Sequence, residues 1–191
     1  MADNIQKTRD FEAIAFQYMD SLYSTALRFT RNTEEAEDLV QDTYLRAFRF
    51  FDKFQEGTNF KAWIFKILTN TFINKYRKKT RTPQQVQLDK VAYGLENEEP
   101  PESVGEWSGF DESKYEELFD DDITSALSQL SEEFRMVVLL ADIEGFSYKE
   151  IAEIINRPSG TVMSRLFRGR RMLQRILDKY ARREGYISQT V

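Results

Sequence analysis

Toward the C-terminal end, Thr161, Met163, Ser164, Arg165, Phe167, Arg168 and Arg171 recur at steps that place them on the outer side of one helix. That mixture has no obvious catalytic use, but it suits a DNA groove. Arginine grips guanine O6 and N7 in a fork or clamps phosphate, Ser and Thr serve either purpose, and Phe and Met suit thymine methyls. Tyr148 and Lys149 open the preceding short helix, where backbone phosphates would pass. A second set lies earlier in the chain: Lys61, Trp63, Lys66, Asn70, Asn74, Arg77 and Lys78. Asparagine hydrogen-bonds base edges, cations hold the sugar-phosphate strand, and aromatics stack on unpaired bases. Phe65, Phe72 and Tyr76 accompany Trp63, although aromatics at this spacing, Trp63 and Phe72 included, more often serve a core. A third set, Asp38, Gln41, Asp42, Leu45 and Arg49, is polar with a single leucine at its centre.

Other chemistry is narrowed by what is missing. The chain has no cysteine and no histidine, which removes disulfides, thiolate and imidazole metal sites and triad-type nucleophiles. Glu34, Asp38 and Asp42 share a helix face that could hold a metal ion, but helix-dipole complementarity explains such acids more simply. The expectation is a non-enzyme without a cofactor or metal.

Charge is distributed unevenly. Net charge is −5, yet residues 89–122 carry thirteen acids against two lysines, so the rest of the chain is net basic. Lys75–Arg81 holds five cations, and Arg165–Arg183 holds eight against Asp178 alone. Two cationic clusters flanking an acidic strap suggest two nucleic-acid-contacting surfaces on one chain, though charge alone fits two solvated helix faces as well.

The elements that must position these residues are all helical. Phe11, Ile14, Ala15, Tyr18, Leu22, Ala26 and Phe29 predict one amphipathic helix over residues 10–31. Asn32 reads as the N-cap of a second, with Glu35 completing a capping box and Ala36, Val40, Thr43, Ala47 and Phe50 facing inward. A third helix runs from Phe60 to about Arg81, burying Phe60, Trp63, Ile64, Ile67, Leu68 and Thr71 and exposing Lys61, Lys66, Asn70, Asn74 and Arg77. Residues 83–121 hold three of four prolines and most of the excess acid, and read as a linker, though Trp107, Phe110, Tyr115, Leu118 and Phe119 suit docking better than an inert tether. Beyond it, Ile123, Ala126, Leu127 and Leu130 mark a short helix, and Ser131 caps the next, with Phe134, Val137, Val138 and Ala141 inward until Gly145 stops it. Ser147 and Glu150 form a capping box for a helix with Ile151, Ala152 and Ile155 inward. A long helix then starts near Thr161, its inner stripe Val162, Leu166, Leu173, Ile176, Leu177 and Tyr180. The last two form a helix-turn-helix.

At this point the segments DLVQDTYLRAFRFFDKF and FKAWIFKILTNTFINKYRKKTR resemble region 2 of the extracytoplasmic-function (group 4) sigma factors of the sigma-70 family, and SEEFRMVVLLADIEGFSYKEIAEIINRPSGTVMSRLFRGRRMLQ resembles their region 4. The resemblance implies an all-α fold of two small domains, region 2 at residues 1–82 and region 4 at 122–191, joined by a flexible acidic linker at 83–121. It implies a non-enzymatic, cytoplasmic subunit that binds core RNA polymerase through the β′ clamp helices and the β flap, binds promoter DNA, and answers to an anti-sigma factor. On this resemblance Asp38, Gln41, Asp42, Leu45 and Arg49 dock on the β′ clamp helices, which gives the lone leucine a purpose. Lys61, Trp63, Lys66, Asn70, Asn74, Arg77 and Lys78 open and read the −10 element as single strand. Tyr148, Lys149, Thr161, Met163, Ser164, Arg165, Phe167, Arg168 and Arg171 read the −35 element. Many relatives carry arginine where this chain has Met163, so the family's base preference at that step does not carry over to it. The wording TNTFINKYRKKTR and GTVMSRLFRGRR is similar to the subgroup tied to thiol-oxidative stress and held by zinc-binding anti-sigma factors.

Reach is compatible with that reading. Elements about 17 base pairs apart lie roughly 55–60 Å apart on duplex DNA. A 39-residue linker spans at most about 130 Å extended and averages about 35 Å as a coil. The alternative is a two-domain regulator that uses only the helix-turn-helix and never joins the polymerase. No run approaches a membrane-spanning length, and the N-terminus has no signal-like apolar stretch.

Overall fold

The structure, a computed structural model, describes residues 2–80 and 121–187, with side chains over 6–75 and 122–187. The proposed linker therefore lies outside the described residues, as does the side-chain end of the cationic cluster with Arg77 and Lys78. All regular elements among the described residues are helical.

Region-2-like residues form α1 (Ala2–Ala15), α2 (Met19–Thr30), α3 (Thr33–Arg49) and α4 (Phe60–Thr80). The single helix expected over residues 10–31 is two. A short 3-10 turn at Phe16–Tyr18 interrupts it, with Tyr18 at φ −103°, ψ 4°. The apolar stripe passes through because 3-10 and α spacings both return residues to one face within three or four steps. Arg31 ends α2 in the left-handed conformation at φ 58°. Asn32 then caps α3, its side chain accepting the Glu35 N–H at 2.9 Å.

These helices pack around rings. Phe11 meets Phe48 at 5.5 Å and Phe51 at 5.3 Å edge to face, while Trp63 lies against Phe54 and Phe60. Phe29 meets Phe72 at 5.0 Å, which makes Phe72 a core residue. The Tyr44 hydroxyl donates to the Ala15 carbonyl at 2.9 Å, and burial, helped by Asp20, pushes its ionisation well above the ordinary value.

The second unit comprises α5 (Asp121–Gln129), α6 (Glu132–Val138), α7 (Tyr148–Ile154) and α8 (Ser159–Arg183). Ile123, Ala126, Leu127 and Leu130 face inward as expected, whereas Ser131 sits at the N-cap of α6 without a side-chain hydrogen bond to it. The helix begun by α6 widens into a π turn at Leu139–Ile143 before Gly145, at φ 74°, ends it. There Glu144 N–H reaches Leu139 O and Phe146 N–H reaches Leu140 O, both at 3.0 Å. Ser147 and Glu150 make the expected capping box at the start of α7. Asn156, left-handed at φ 50°, turns the chain into α8, and Arg157 N–H closes that end on Ala152 O at 3.0 Å.

Both units contribute to one apolar cluster. Phe65, one of the aromatics beside the polar face of α4, is fully buried, 5.2 Å from Phe146 of the second unit. Arg31 donates to Ser128 O and Leu130 O, and buried Arg135 donates to Phe29 O at 2.9 Å.

Candidate nucleic-acid and partner interfaces

The helix-turn-helix presents most of its expected reading surface. Met163, Phe167 and Tyr148 are exposed apolar residues, Phe167 at 66%. Lys149, Ser164, Arg168 and Arg171 are exposed beside them, and Thr161 is half-buried. Three large apolar groups in water, Tyr148 at the start of α7 and Met163 and Phe167 on the arginine-rich α8, are unfavourable unless something covers them. Ser164 holds its hydroxyl on Thr161 O at 3.0 Å.

Arg165 departs from the expectation. It turns toward α6 and pairs with Glu133 at 2.9 Å, leaving its side chain 19% exposed. Arg170, which sequence reasoning did not select, grips Asp142 through Nε at 3.2 Å and Nη2 at 2.5 Å. That pairing, with Tyr148 adding to it, raises the Arg170 pKa further above its ordinary range. Arg170 therefore braces Tyr148 and α8 from below. The signal that could have revealed it is the Asp142 carboxylate one turn before the helix-turn-helix, visible only once the fold is known.

On α4, Asn74 is exposed and Asn70 half-buried. Trp63 is partly buried in the ring cluster. Lys61, expected to face solvent, is half-buried: its Nζ sits 3.0 Å from Glu144 Oε2 and 2.8 Å from Glu144 O, over the Phe146 ring at 5.0 Å. The physical reason is the second unit, which lies along this side of α4. Lys66 is half-buried too, and lines an open cleft together with Lys149, Ala152 and Asn156.

On α3, Asp38, Gln41 and Arg49 are exposed, with Asp42 and Leu45 half-buried. Leu45 is absent from the residues packed against the core. Asp42 is tied to Lys75 of α4 at 2.7 Å, at the edge of this surface. Among the described residues no cluster of three or more carboxylates is placed to hold a metal ion, and no helix is long and apolar enough to cross a membrane.

Comparison with known proteins gives a consistent picture. Residues 16–82 match the Sigma-70 region 2 family and residues 120–173 match Sigma-70 region 4. The chain is 34% identical over 171 residues to the ECF RNA polymerase sigma factor SigE of Mycolicibacterium smegmatis, covering 90% of this chain and 63% of that protein. It is 28% identical over 185 residues to the ECF RNA polymerase sigma-E factor of Escherichia coli, covering 96% of this chain and 95% of the other. Its fold matches the sigma factor RpoE of Bartonella quintana, solved with the anti-sigma factor NepR, at a TM-score of 0.65 and 32% identity over 89% of this chain and 98% of that one. CnrH, solved with the cytosolic domain of CnrY, shares the fold at a TM-score of 0.61 and 24% identity, over 94% of this chain and 99% of that one.

Proposed function

Since the chain belongs to the extracytoplasmic-function sigma factors of the sigma-70 family, we propose that it binds core RNA polymerase and directs it to promoters, without catalysing a reaction itself. Region 2 docks through Asp38, Gln41, Asp42, Leu45 and Arg49 and reads the −10 strand with Asn70, Asn74 and the cationic end of α4. Region 4 reads the −35 element through Met163, Ser164, Phe167, Arg168 and Arg171, with Tyr148 and Lys149 on flanking phosphates and Arg165 supporting the surface from behind. The observation that carries this is the exposed Tyr148–Met163–Phe167 group set among arginines on a helix-turn-helix. A solvated helix face has no use for it; a major groove does.

Control by an anti-sigma factor follows from the family and from the solved relative that carries one. We assign that inhibitor to the zinc-binding class on the wording of the α4 end and of the α8 start. Any redox sensing then belongs to the inhibitor, because this chain has no cysteine. Its place of action is the cytoplasm, with the polymerase.

Transcription in vitro with purified core polymerase and a randomised promoter library tests the reading. Specific initiation with a fixed pair of elements is expected. Failure of core to recruit the chain would refute it, and tight promoter binding without polymerase would favour a free-standing regulator.

A further inference from the structure

We propose that this sigma factor is self-closing: region 4 latches onto the −10-reading helix of region 2 through Glu144, and the latch must open before the promoter is read. The inference rests on the assignment of α4 and α8 to the two promoter elements.

Glu144 follows the π turn of the second unit, and its side chain enters the first. Its side chain is only 5% exposed. One carboxylate oxygen accepts from Ser21 Oγ at 2.6 Å and lies 3.0 Å from Lys61 Nζ, and the other accepts from Thr25 Oγ1 at 2.8 Å. Lys61 also donates to the Glu144 backbone carbonyl at 2.8 Å. Arg28 stands in the same field: burial lowers its pKa and the Glu144 charge opposes that fall. A carboxylate so far out of water is tolerated only where donors surround it, and every donor named here comes from the other unit. The site is thus a receptacle in region 2 shaped for one side chain of region 4. Phe65 against Phe146, Arg135 on Phe29 O, and Asn59 on Glu150 at 2.8 Å extend the contact along α4.

The closed chain cannot read both elements. Lys66, assigned to the −10 element, and Lys149, assigned to the −35 element, line one cleft. On a promoter those elements lie roughly 55–60 Å apart. Lys61 is meanwhile occupied by Glu144. Separation of the units frees Lys61 and allows the spacing.

The absence of native cysteine permits a direct test. Spin labels attached at Glu56→Cys and Lys179→Cys, both exposed positions, report the distance between the units in the free, full-length chain. One narrow distribution is expected, and Glu144→Ala broadens it toward longer distances and raises polymerase-free binding to −10-strand DNA by about tenfold. Thr25→Val together with Ser21→Ala, which leaves region 4 untouched, is expected to broaden it as well; circular dichroism confirms that each variant stays helical. A broad distribution in the parent chain, or a narrow one in both variants, overturns the latch. Transcription with core polymerase separates the two claims: a chain that closes as described yet never supports initiation overturns the promoter reading and leaves the latch standing.

Discussion

Gly169 of α8 lies so close to Val138 of α6 that a β-carbon on it would stand 2.9 Å from Val138 Cγ2, with Phe134 Cβ at 3.4 Å. The long helix carrying the proposed DNA-reading residues is seated at that point against the helix that leads to Glu144. Val138 is 2% exposed, and a branched side chain has little rotamer freedom with which to retreat.

Gly169→Ala is therefore expected to destabilise the protein by about 1–2 kcal/mol. Overpacking costs about 1–3 kcal/mol, and the gain in helix propensity returns only about 0.5–1. Urea unfolding measures the change. Adding Val138→Ala makes room, so the double variant should lose less than the two single losses together. Strict additivity would mean that the close approach is unimportant.

The start of α7 is sensitive to acid. Glu150 accepts from Ser147 Oγ at 2.7 Å and Ser147 N at 2.8 Å, and from Asn59 across the domain boundary at 2.8 Å. Ser147 first, then Asn59 and the nearby Lys61 charge, hold its pKa below the ordinary 4.5. A depressed carboxylate contributes stability that is complete above the unfolded value and is lost as pH falls through the folded one. The loss should begin below about pH 4.5. Ser147→Ala should cost about 1 kcal/mol at pH 7 through the cap and move Glu150 back toward 4.5, read by NMR titration of its carboxyl carbon. An unchanged titration would show that Ser147 does not hold the acid.

The proposed docking surface on α3 can be probed without disturbing the fold. Leu45 is half-buried and outside the core, so Leu45→Ala should change stability by no more than about 0.5 kcal/mol. If it anchors on polymerase it should weaken core binding by at least about 1 kcal/mol, roughly fivefold. Asp38→Lys, on the exposed side, should slow association and do so less at high salt. Asp42 is the poorer probe because Lys75 depends on it. Normal core affinity in both variants would remove this face from the interface.

Local signals were legible in the chain and tertiary ones were not. Asn32 and Ser147 announce their helices because an N-cap acts within four residues. The helix-turn-helix follows from such caps, Asn156 and the apolar spacing on either side. Lys61 reads as exposed because helical period gives a side's polarity, not what covers it, and the cover lies about eighty residues away. The Phe16–Tyr18 turn and the π turn at Leu139–Ile143 leave the apolar stripe intact and so leave no mark on it. Gly169 carries no sequence signal of its own, and only the packing of α6 gives it a reason.

Arg165 and Arg168, three residues apart on α8, should behave differently. Arg165 is held by Glu133 and is 19% exposed; Arg168 is exposed and pairs with no carboxylate among the described residues. In polymerase holoenzyme, Arg168→Ala should therefore lose about 1–3 kcal/mol of −35 binding if it grips a base, with relaxed preference at that one base pair. A loss uniform across sequences, with a shallower salt dependence, would instead assign it to phosphate. Arg165→Ala should show the converse pattern: lower stability in urea as Glu133 loses its partner, and an unchanged base preference. Sequence selectivity that shifts with Arg165 and not with Arg168 would mean that α8 meets the groove on a different side from the one carrying Met163 and Phe167.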